Sequence, residues 1–325
     1  MQPFIKWIIS ILPFLIIGGL LYSALFVKPN IVASSVRPPA IARGDYLYGI
    51  ALPKPNVMWA AGSNGKVWRS ADSGLSWAIQ ATPTDENLQD VAAWDEMRAV
   101  AVGNQGVTIR TDDGGKIWRE IHVPRSNIAN KLMRVKIFED ESAWAVGEGG
   151  VVVCSADRGV TWVRKGREED VAWNDVFVSG QKVWLVGEFG RISSSSDGGE
   201  TWKPSNSPVK TSLMAIAFRD KTNGVAVGLD GVVLVTRDGG SKWIEQPKVT
   251  REHLFDVIWD GSQWAAVGDK GVLVSGDGSG SWKLSQVARN QRAWHTKIVS
   301  TEEGYVVTGA TLVTIDKSVA GTIHH

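Results

Sequence analysis

The stretch RTDDGGKIW, residues 110–118, decides the fold, because the chain repeats its pattern five more times. The repeats are RSADSGLSW (69–77), CSADRGVTW (154–162), SSSDGGETW (194–202), VTRDGGSKW (235–243) and VSGDGSGSW (274–282). Each places an Asp two residues after a Ser or Thr and five residues before a Trp. An Asp carboxylate can accept hydrogen bonds from the backbone of a turn, Gly permits a left-handed residue, and Trp can bury its ring between sheets.

The pattern therefore predicts a hairpin that staples the third strand of a repeat to the fourth. An alternative is that the six carboxylates bind calcium or take part in catalysis. Equivalent residues of successive repeats would lie on a ring at the periphery and would not converge on one substrate, so we favour the structural role. The residues predicted to form these staples are Asp72, Trp77, Asp113, Trp118, Asp157, Trp162, Asp197, Trp202, Asp238, Trp243, Asp277 and Trp282.

A longer unit surrounds each staple. Two strand-like runs and a Gly-x-x-Gly turn come before it, and the first glycines of these turns are spaced by 41, 44, 40, 41, 40 and 41 residues. Those glycines are Gly62, Gly103, Gly147, Gly187, Gly228, Gly268 and Gly309, and the seventh turn, at Gly309, has lost the second glycine. Four short strands in about 40 residues are typical of a propeller blade. The sequence predicts an all-β, seven-bladed β-propeller over residues 45–316.

The seventh unit ends without a closing Trp strand. Part of the preceding tether, residues 29–44, could supply the missing outer strand and close the ring, which would remove an exposed sheet edge. We therefore expect truncation of residues 33–45 to destabilise the propeller, although these residues resemble a linker. Residues 317–325 are interpreted as a C-terminal tail.

The N-terminal segment, residues 1–28, contains an uncharged apolar run of 21 residues from Trp7 to Val27. Roughly 20 apolar residues span a bilayer as a helix, and a cleaved signal has a shorter run of about 7–15 residues. The sequence thus predicts an uncleaved transmembrane anchor, with a cleaved signal as the alternative. Lys6 precedes the run and Lys28 follows it, so charge does not orient the segment.

Composition narrows the function classes. The net charge of +1 gives no overall field for recruiting nucleic acid, so no nucleic-acid partner is expected. Cys154 is the single cysteine, and the five histidines lack metal-ligand spacing, so neither a disulfide nor a metal site is predicted. The Gly-rich turns are not followed by helices that could bind phosphate, and no cofactor is expected.

The repeated phrase is the Asp-box of the bacterial neuraminidase repeat. Together with VG-x-x-G and L-x-D-V, it makes residues 45–316 resemble the photosystem II assembly and stability factor family, which has relatives in non-photosynthetic bacteria. The resemblance implies a non-catalytic propeller on the lumenal or extracytoplasmic side of a membrane. It also implies an arginine-rich surface that helps to assemble an integral membrane complex. Ser279 in the sixth box and the N-terminal anchor depart from the family pattern.

We expect the chain to be a binding or assembly module for an integral membrane protein complex, anchored in a bacterial inner membrane by its N-terminal helix. The client is a photosystem if the source is photosynthetic, and a transporter or envelope complex otherwise.

The alternative function is a carbohydrate-binding protein or a glycoside hydrolase, because sialidases also carry Asp-boxes on propellers. With the innermost strands aligned, the column at the channel reads Gly49, Asp90, Arg134, Asp175, Ala215, Asp256 and Thr296. A sialidase needs three arginines on central strands, and this column contains one. The three Asp residues could face one another across the channel, but structural hydrogen bonding at the strand starts is the simpler explanation. We therefore predict that the protein is not an enzyme.

The candidate partner-binding residues are basic side chains in the loops that lead from blade two to three and from three to four. The loop into a blade and the turn between its second and third strands are expected to share one face. We expect Arg125, Arg134, Arg164 and Arg167 to form a docking patch there for an acidic or carbonyl-rich segment, with Phe189 on the same rim. The alternative is an ordinary solvated rim. Replacing all four arginines by Ala is expected to leave the fold intact.

Overall fold

A computed structural model of the chain describes residues 40–288 and 292–316. These residues form 27 strands in seven separate antiparallel sheets, of which six have four strands and one has three. The strands of each sheet follow one another in chain order. The all-β, seven-bladed propeller expected from the repeats is confirmed.

The strands are distributed over the blades as follows. Blade one holds β1 (Leu47–Lys54), β2 (Val57–Gly62), β3 (Val67–Ser70) and β4 (Ala78–Gln80), and blade two holds β5 (Leu88–Ala93), β6 (Ala99–Gly103), β7 (Thr108–Thr111) and β8 (Arg119–Glu120). Blade three holds β9 (Leu132–Ile137), β10 (Ala143–Gly147), β11 (Val152–Ser155) and β12 (Val163–Arg164). Blade four holds β13 (Trp173–Ser179), β14 (Lys182–Gly187), β15 (Ile192–Ser195) and β16 (Lys203–Ser205). Blade five holds β17 (Leu213–Phe218), β18 (Gly224–Gly228), β19 (Val233–Thr236) and β20 (Ile244–Glu245). Blade six holds β21 (Leu254–Trp259), β22 (Trp264–Gly268), β23 (Val272–Gly276) and β24 (Trp282–Gln286), and blade seven holds β25 (His295–Ser300), β26 (Gly304–Gly309) and β27 (Val313–Asp316).

The second strand of each blade lies at the centre of the core. All five residues of β6 are buried, and Ala101 pairs with Val91 on one side and Ile109 on the other. A sheet that packs against a neighbour on both faces has no solvent side, so its inner strands are apolar throughout. This explains runs such as AVAVG, where alternation with polar residues is absent.

The Asp-boxes form the turns between the third and fourth strands. In blade two, the Thr111 hydroxyl donates to Asp113 Oδ1 at 2.9 Å, and the N–H of Ile117 donates to the same oxygen at 3.0 Å. The N–H of Gly115 donates to Thr111 Oγ1 at 3.0 Å. The same three bonds recur in blades one, three, four and five. In blade six, Asp277 accepts instead from the N–H and hydroxyl of Ser279, the residue that departs from the pattern.

The Trp residues of the boxes pack against the preceding blade. Trp118 meets Trp59 of blade one edge to face, with 5.7 Å between ring centroids. Trp162, Trp243 and Trp282 are also buried, whereas Trp77 and Trp202 are half-buried. Each box thus fixes a hairpin and places an aromatic ring between two sheets.

Blade seven closes the ring against blade one. The Thr296 hydroxyl donates to the carbonyl of Tyr48 at 3.0 Å, and Trp294 stacks on the Tyr48 ring. Ala40 and Ile41 pack with Leu312 of blade seven against the buried cluster of blade one. Blade seven shows three strands, and most of the tether predicted to provide a fourth lies outside the described residues.

The predicted transmembrane anchor, residues 1–28, also lies outside the described residues. In residues 40–288 and 292–316, no helix is long and apolar enough to cross a membrane.

Removing residues 33–45 should lower the melting temperature. The deletion eliminates the hydrogen bond from Trp68 Nε1 to the Ala40 carbonyl (2.7 Å) and the Asp45–Lys66 ion pair (2.5 Å). It also exposes apolar surface on Trp68 and Leu312. Thermal unfolding of this variant and of a control lacking only residues 1–32 tests the expectation. Equal melting temperatures would contradict it.

The Asp-boxes should make the propeller acid-sensitive. Burial opposes the charge of Asp157, but hydrogen bonds from the hydroxyl and N–H of Thr161 lower its pKa to about 2. A lowered folded-state pKa adds stability above the ordinary value of 3.8, and this stability is lost as the pH falls toward 2. Asp157→Asn should therefore lower the melting temperature at pH 7 and lower it much less near pH 2. Asp85→Asn, on an exposed loop, is the control. A difference that does not depend on pH would contradict the assignment.

Candidate partner-binding face

The loop that leads into each blade and the turn between its second and third strands lie on one face of the propeller. The first residue of each turn donates its N–H to the carbonyl of the residue just before the first strand. This bond is 2.8–3.1 Å long in all seven blades, in the pairs Ser63–Tyr46, Asn104–Asn87, Glu148–Lys131, Glu188–Ala172, Leu229–Ser212, Asp269–His253 and Ala310–Trp294. We call this side the loop face. The Asp-boxes follow the third strands at their opposite ends and define the box face.

In blades one to six, the two glycines of the turn have different physical roles. Gly103 has an extended backbone with φ −166°, but a Cβ there would lie 2.1 Å from the Asn87 carbonyl oxygen. Gly106 adopts φ +74°, which L side chains rarely adopt. The first glycine therefore permits close approach of the loop, and the second permits the turn itself.

Two of the four predicted arginines are exposed on the loop face. Arg125 lies in the loop between blades two and three, and Arg167 lies in the loop between blades three and four. Glu168 joins the two loops, because it accepts from the Ser126 hydroxyl at 2.6 Å and from the N–H of Asn127. Among the described residues, no ion pair engages Arg125 or Arg167. The loops thus present two free guanidinium groups beside a carboxylate that is committed to the loop contact.

Arg164 is half-buried at the end of β12. Its Nε donates to the Gly166 carbonyl at 2.9 Å and its Nη2 donates to the Gly149 carbonyl at 3.2 Å. These bonds tie the outer strand of blade three to the turn of the same blade. Arg164 therefore supports the loop face and offers less of its own charge to a partner.

Arg134 is not part of an exposed patch, and this corrects the expected grouping of four loop arginines. It lies on β9 and is 6% exposed. Its Nε is 3.6 Å from Asp175 Oδ1 and its Nη1 is 3.4 Å from Asp256 Oδ1. Its Nη2 donates to the carbonyls of Met214 and Phe255. Arg134 therefore reaches across the central channel and contacts blades four, five and six.

The channel column also differs from the sequence alignment in blade seven. Each innermost strand carries a bulge one residue before the column position, and in blade seven the bulged residue is Thr296. Lys297 pairs with Thr308 as Asp256 pairs with Val267, so Lys297 occupies the column where Thr296 was expected. All seven blades share the bulge, so the difference has another cause: the strand of blade seven begins one residue later than the alignment assumed, because His295 pairs with Gly309 as Leu254 pairs with Gly268.

The three channel carboxylates join neighbouring blades. The second oxygen of each accepts a backbone N–H from the next blade, at 2.8–3.2 Å, in the pairs Asp90–Val135, Asp175–Ile216 and Asp256–Ile298. Lys297 lies 3.3 Å from Asp90, and Lys136 lies 2.7 Å from Asp175. Sequence reasoning missed both lysines. Lys136 follows Arg134 by two residues on the same strand, a spacing that places both side chains on one side of that strand.

The environments of Asp90 and Asp175 shift their pKa values in opposite directions. Burial raises the pKa of Asp90, which Lys297 and Arg134 only partly offset. Asp175 is equally buried, yet Lys136 and Arg134 lower its pKa. The Arg134 guanidinium is desolvated, but the carboxylates of Asp175 and Asp256 raise its pKa above the ordinary value. The channel is therefore a charge-compensated network in which the carboxylates hold backbone and cations together.

Other reactive side chains are also engaged in packing. Tyr305 is buried, and its hydroxyl donates to Asp260. Burial lowers the pKa of His295 to about 4 and raises the pKa of the Cys154 thiol to about 11. Within residues 40–288 and 292–316, no cluster of three or more His, Cys, Asp or Glu side chains could hold a metal ion.

The N-terminal end of the described chain enters blade one on the loop face. Asp45 pairs with Lys66 at 2.5 Å, directly after the turn Ser63–Gly65, and the N–H of Tyr46 donates to Ser63 Oγ at 3.1 Å. The N-terminal end of the described chain and the exposed arginines therefore share one side of the ring.

The repeated Asp-boxes and the seven sheets define a seven-bladed Asp-box propeller, and comparison with known proteins shows that it is similar to photosystem II assembly factors. A family model described as "Photosynthesis system II assembly factor YCF48" matches residues 75–171. The chain is 22% identical over 288 residues to "Photosystem II assembly lipoprotein Ycf48" of Synechococcus sp. (strain CC9902), covering 73% of this chain and 86% of the relative. It is 28% identical over 99 residues to "Photosystem II stability/assembly factor HCF136, chloroplastic" of Arabidopsis thaliana, covering 30% of this chain and 24% of the relative.

Solved structures show the same fold at low sequence identity. "YCF48 bound to D1 peptide" has a TM-score of 0.68 at 17% identity, covering 84% of this chain and 92% of that one. "YCF48 from Cyanidioschyzon merolae" has a TM-score of 0.67 at 19% identity, covering 86% of this chain and 96% of that one. The WD40 propeller domain of Doa1 has a TM-score of 0.69 at 10% identity, covering 85% and 95%.

Replacing Arg134 should destabilise the propeller strongly. Removing one partner of a buried ion pair leaves charges uncompensated and costs about 3–5 kcal/mol. Arg134→Ala should therefore lower the free energy of unfolding by about that amount in a urea titration. Arg125→Ala should stay within about ±0.5 kcal/mol, because its side chain is exposed. If both variants lose equally little, Arg134 does not hold the channel together.

Proposed function

We propose that the chain is a non-catalytic docking module that assists the assembly of an integral membrane protein complex. The observation that carries this proposal is the pair of exposed arginines, Arg125 and Arg167, on two loops that Glu168 joins. Guanidinium groups bind carboxylates and carbonyl groups through paired hydrogen bonds. The partner segment is therefore acidic or rich in free carbonyl groups.

The likeness to assembly factors supports the same class of function. One relative is titled an assembly lipoprotein, and one solved propeller of the same fold is titled as bound to a D1 peptide. A segment of a membrane protein is accordingly the class of partner we propose here. The client is a photosystem protein in a photosynthetic source and a transporter or envelope protein elsewhere.

The channel supports a structural role over glycoside hydrolysis. Each of its three Asp residues holds a backbone N–H of the next blade, and Arg134 lies between two of them. A glycosidase needs one carboxyl group that donates a proton and another that attacks or activates water. Carboxylates committed to blade contacts and cations suit neither task.

The proposal includes the membrane. The apolar segment Trp7–Val27 anchors the protein in a bacterial inner membrane, with the propeller on the extracytoplasmic side. The described chain starts at Ala40–Asp45 on the loop face, the same face of the propeller that carries Arg125 and Arg167. A C-terminal reporter that is active only in the cytoplasm would contradict this orientation.

Replacing Arg125 and Arg167 together by Ala should weaken client binding and preserve the fold. Each loop change should alter stability by no more than about 0.5 kcal/mol, whereas losing a desolvated charge pair costs about 2–5 kcal/mol of binding. Pull-down of the full chain in mild detergent, followed by affinity measurement with the client, tests this. Binding should also weaken as salt rises.

Trp118→Ala is the matched control, since it should lower stability without changing the affinity of the folded fraction. Normal binding by the double arginine variant would overturn the proposed docking surface. Isolation of the protein without a partner, together with hydrolysis of a sialoside or glucan, would favour the enzyme instead.

A further inference from the structure

The turn of blade four carries a residue that neither folding stability nor packing explains. Phe189 has φ +56° and is 70% exposed. The left-handed conformation is unfavourable for a bulky L-residue, whereas Gly, Asn and Asp adopt it more readily. The equivalent turn positions in blades one, two, three, five and six hold Asn64, Gln105, Gly149, Asp230 and Lys270, all with positive φ. Blade four alone among these places an aromatic ring there, and the ring points into solvent.

The backbone under Phe189 is fixed on both sides. The N–H of Glu188 donates to the Ala172 carbonyl at 3.1 Å, and its carboxylate accepts from the N–H of Ala172 at 3.0 Å. On the other side, a Cβ at Gly190 would lie 2.1 Å from the Val209 carbonyl oxygen, so the turn is wedged against the next loop. A rigid backbone that presents an exposed aromatic ring is typical of an energetic anchor in a protein interface.

The charges around Phe189 favour a protein segment over a lipid surface. Arg191 follows in the same turn and pairs with Glu169 at 3.3 Å, and Arg167 lies in the same loop as Glu169. That loop also contains Glu168 and Asp170, which are exposed. The three acidic side chains balance Arg125, Arg167 and Arg191, so this surface has no net positive charge to attract an anionic bilayer, whereas a peptide can match a mixture of basic and acidic groups. Ile128, 51% exposed on the loop joined through Glu168, extends the apolar part of this surface.

We propose that Phe189 is the apolar anchor of the partner-binding surface and contacts an aliphatic or aromatic side chain adjacent to an acidic residue of the partner. This inference rests on the proposed docking function and adds a source of partner specificity to it. Arg125 and Arg167 recognise charge and carbonyl groups, while Phe189 selects partners that offer an apolar side chain beside them.

Site-specific photo-crosslinking in native membranes identifies the contact. Phe189→p-benzoylphenylalanine in the full chain should crosslink to a protein segment that contains an apolar residue next to Asp or Glu. The same replacement of Gln105 or Lys270, at equivalent turn positions in other blades, should not give that crosslink. Crosslinks from position 189 to lipid alone, or to no molecule, would overturn the proposal.

A synthetic peptide of the crosslinked segment then measures the contribution of the ring. Phe189→Asn should weaken peptide binding about tenfold or more, because truncation of an anchor removes much of the binding energy. Its melting temperature should be unchanged or higher, because Asn suits the left-handed backbone. Phe189→Tyr should retain binding, and Lys270→Asn should leave it unchanged.

Two results separate the anchor from the docking function. If Phe189→Asn binds the peptide normally while the Arg125/Arg167 variant does not, the anchor is wrong and the docking function stands. If neither variant weakens binding, both proposals are wrong.

Discussion

The hydrogen bond between the first residue of each turn and the loop that leads into the same blade determines which face carries the candidate partner-binding side chains. It occurs in all seven blades and depends on a glycine that lets two backbone segments come within contact distance. Because the bond holds the loop and the turn together, both must lie on one face. The Asp-boxes are thereby left on the opposite face, where they fix hairpins. Because this hydrogen bond repeats in every blade, one face of the propeller carries the structural Asp-boxes, and the other carries loops and turns whose side chains can differ from blade to blade.

The channel provides the second constraint. Propeller blades pack through apolar side chains, and such packing alone does not specify how the first strands meet at the axis. Here Asp90, Asp175 and Asp256 each hold a backbone N–H of the following blade, and Arg134 with two lysines balances their charge. Removing several charges from water is costly, so the network is stable only while every member is present. This ties the integrity of the ring to residues that resemble a catalytic cluster in sequence.

The sequence predicted the architecture well because the repeat encodes it directly. The Gly-x-x-Gly turns and the Asp-boxes report on local backbone geometry, and their spacing gives the number of blades. The site was predicted only in part. Arg134 was grouped with loop residues because it follows a basic loop without a break, although its column position pointed to the channel. Lys297 was missed because the first strand of blade seven begins at His295, one residue later than the alignment assumed, which moves the column position from Thr296 to Lys297. The strain at Phe189 could be found only from its φ angle and exposure, since the same turn elsewhere holds polar residues or Gly.

The central claim is that the loop face of blades two to four binds the client. Hydrogen–deuterium exchange of the full chain, compared between the free protein and the co-purified complex, tests it most directly. The account predicts slower exchange in the complex at residues 125–130, 166–170 and 188–191, with unchanged exchange in the six Asp-box turns. Slower exchange at the box turns, with no change on the loop face, would contradict it.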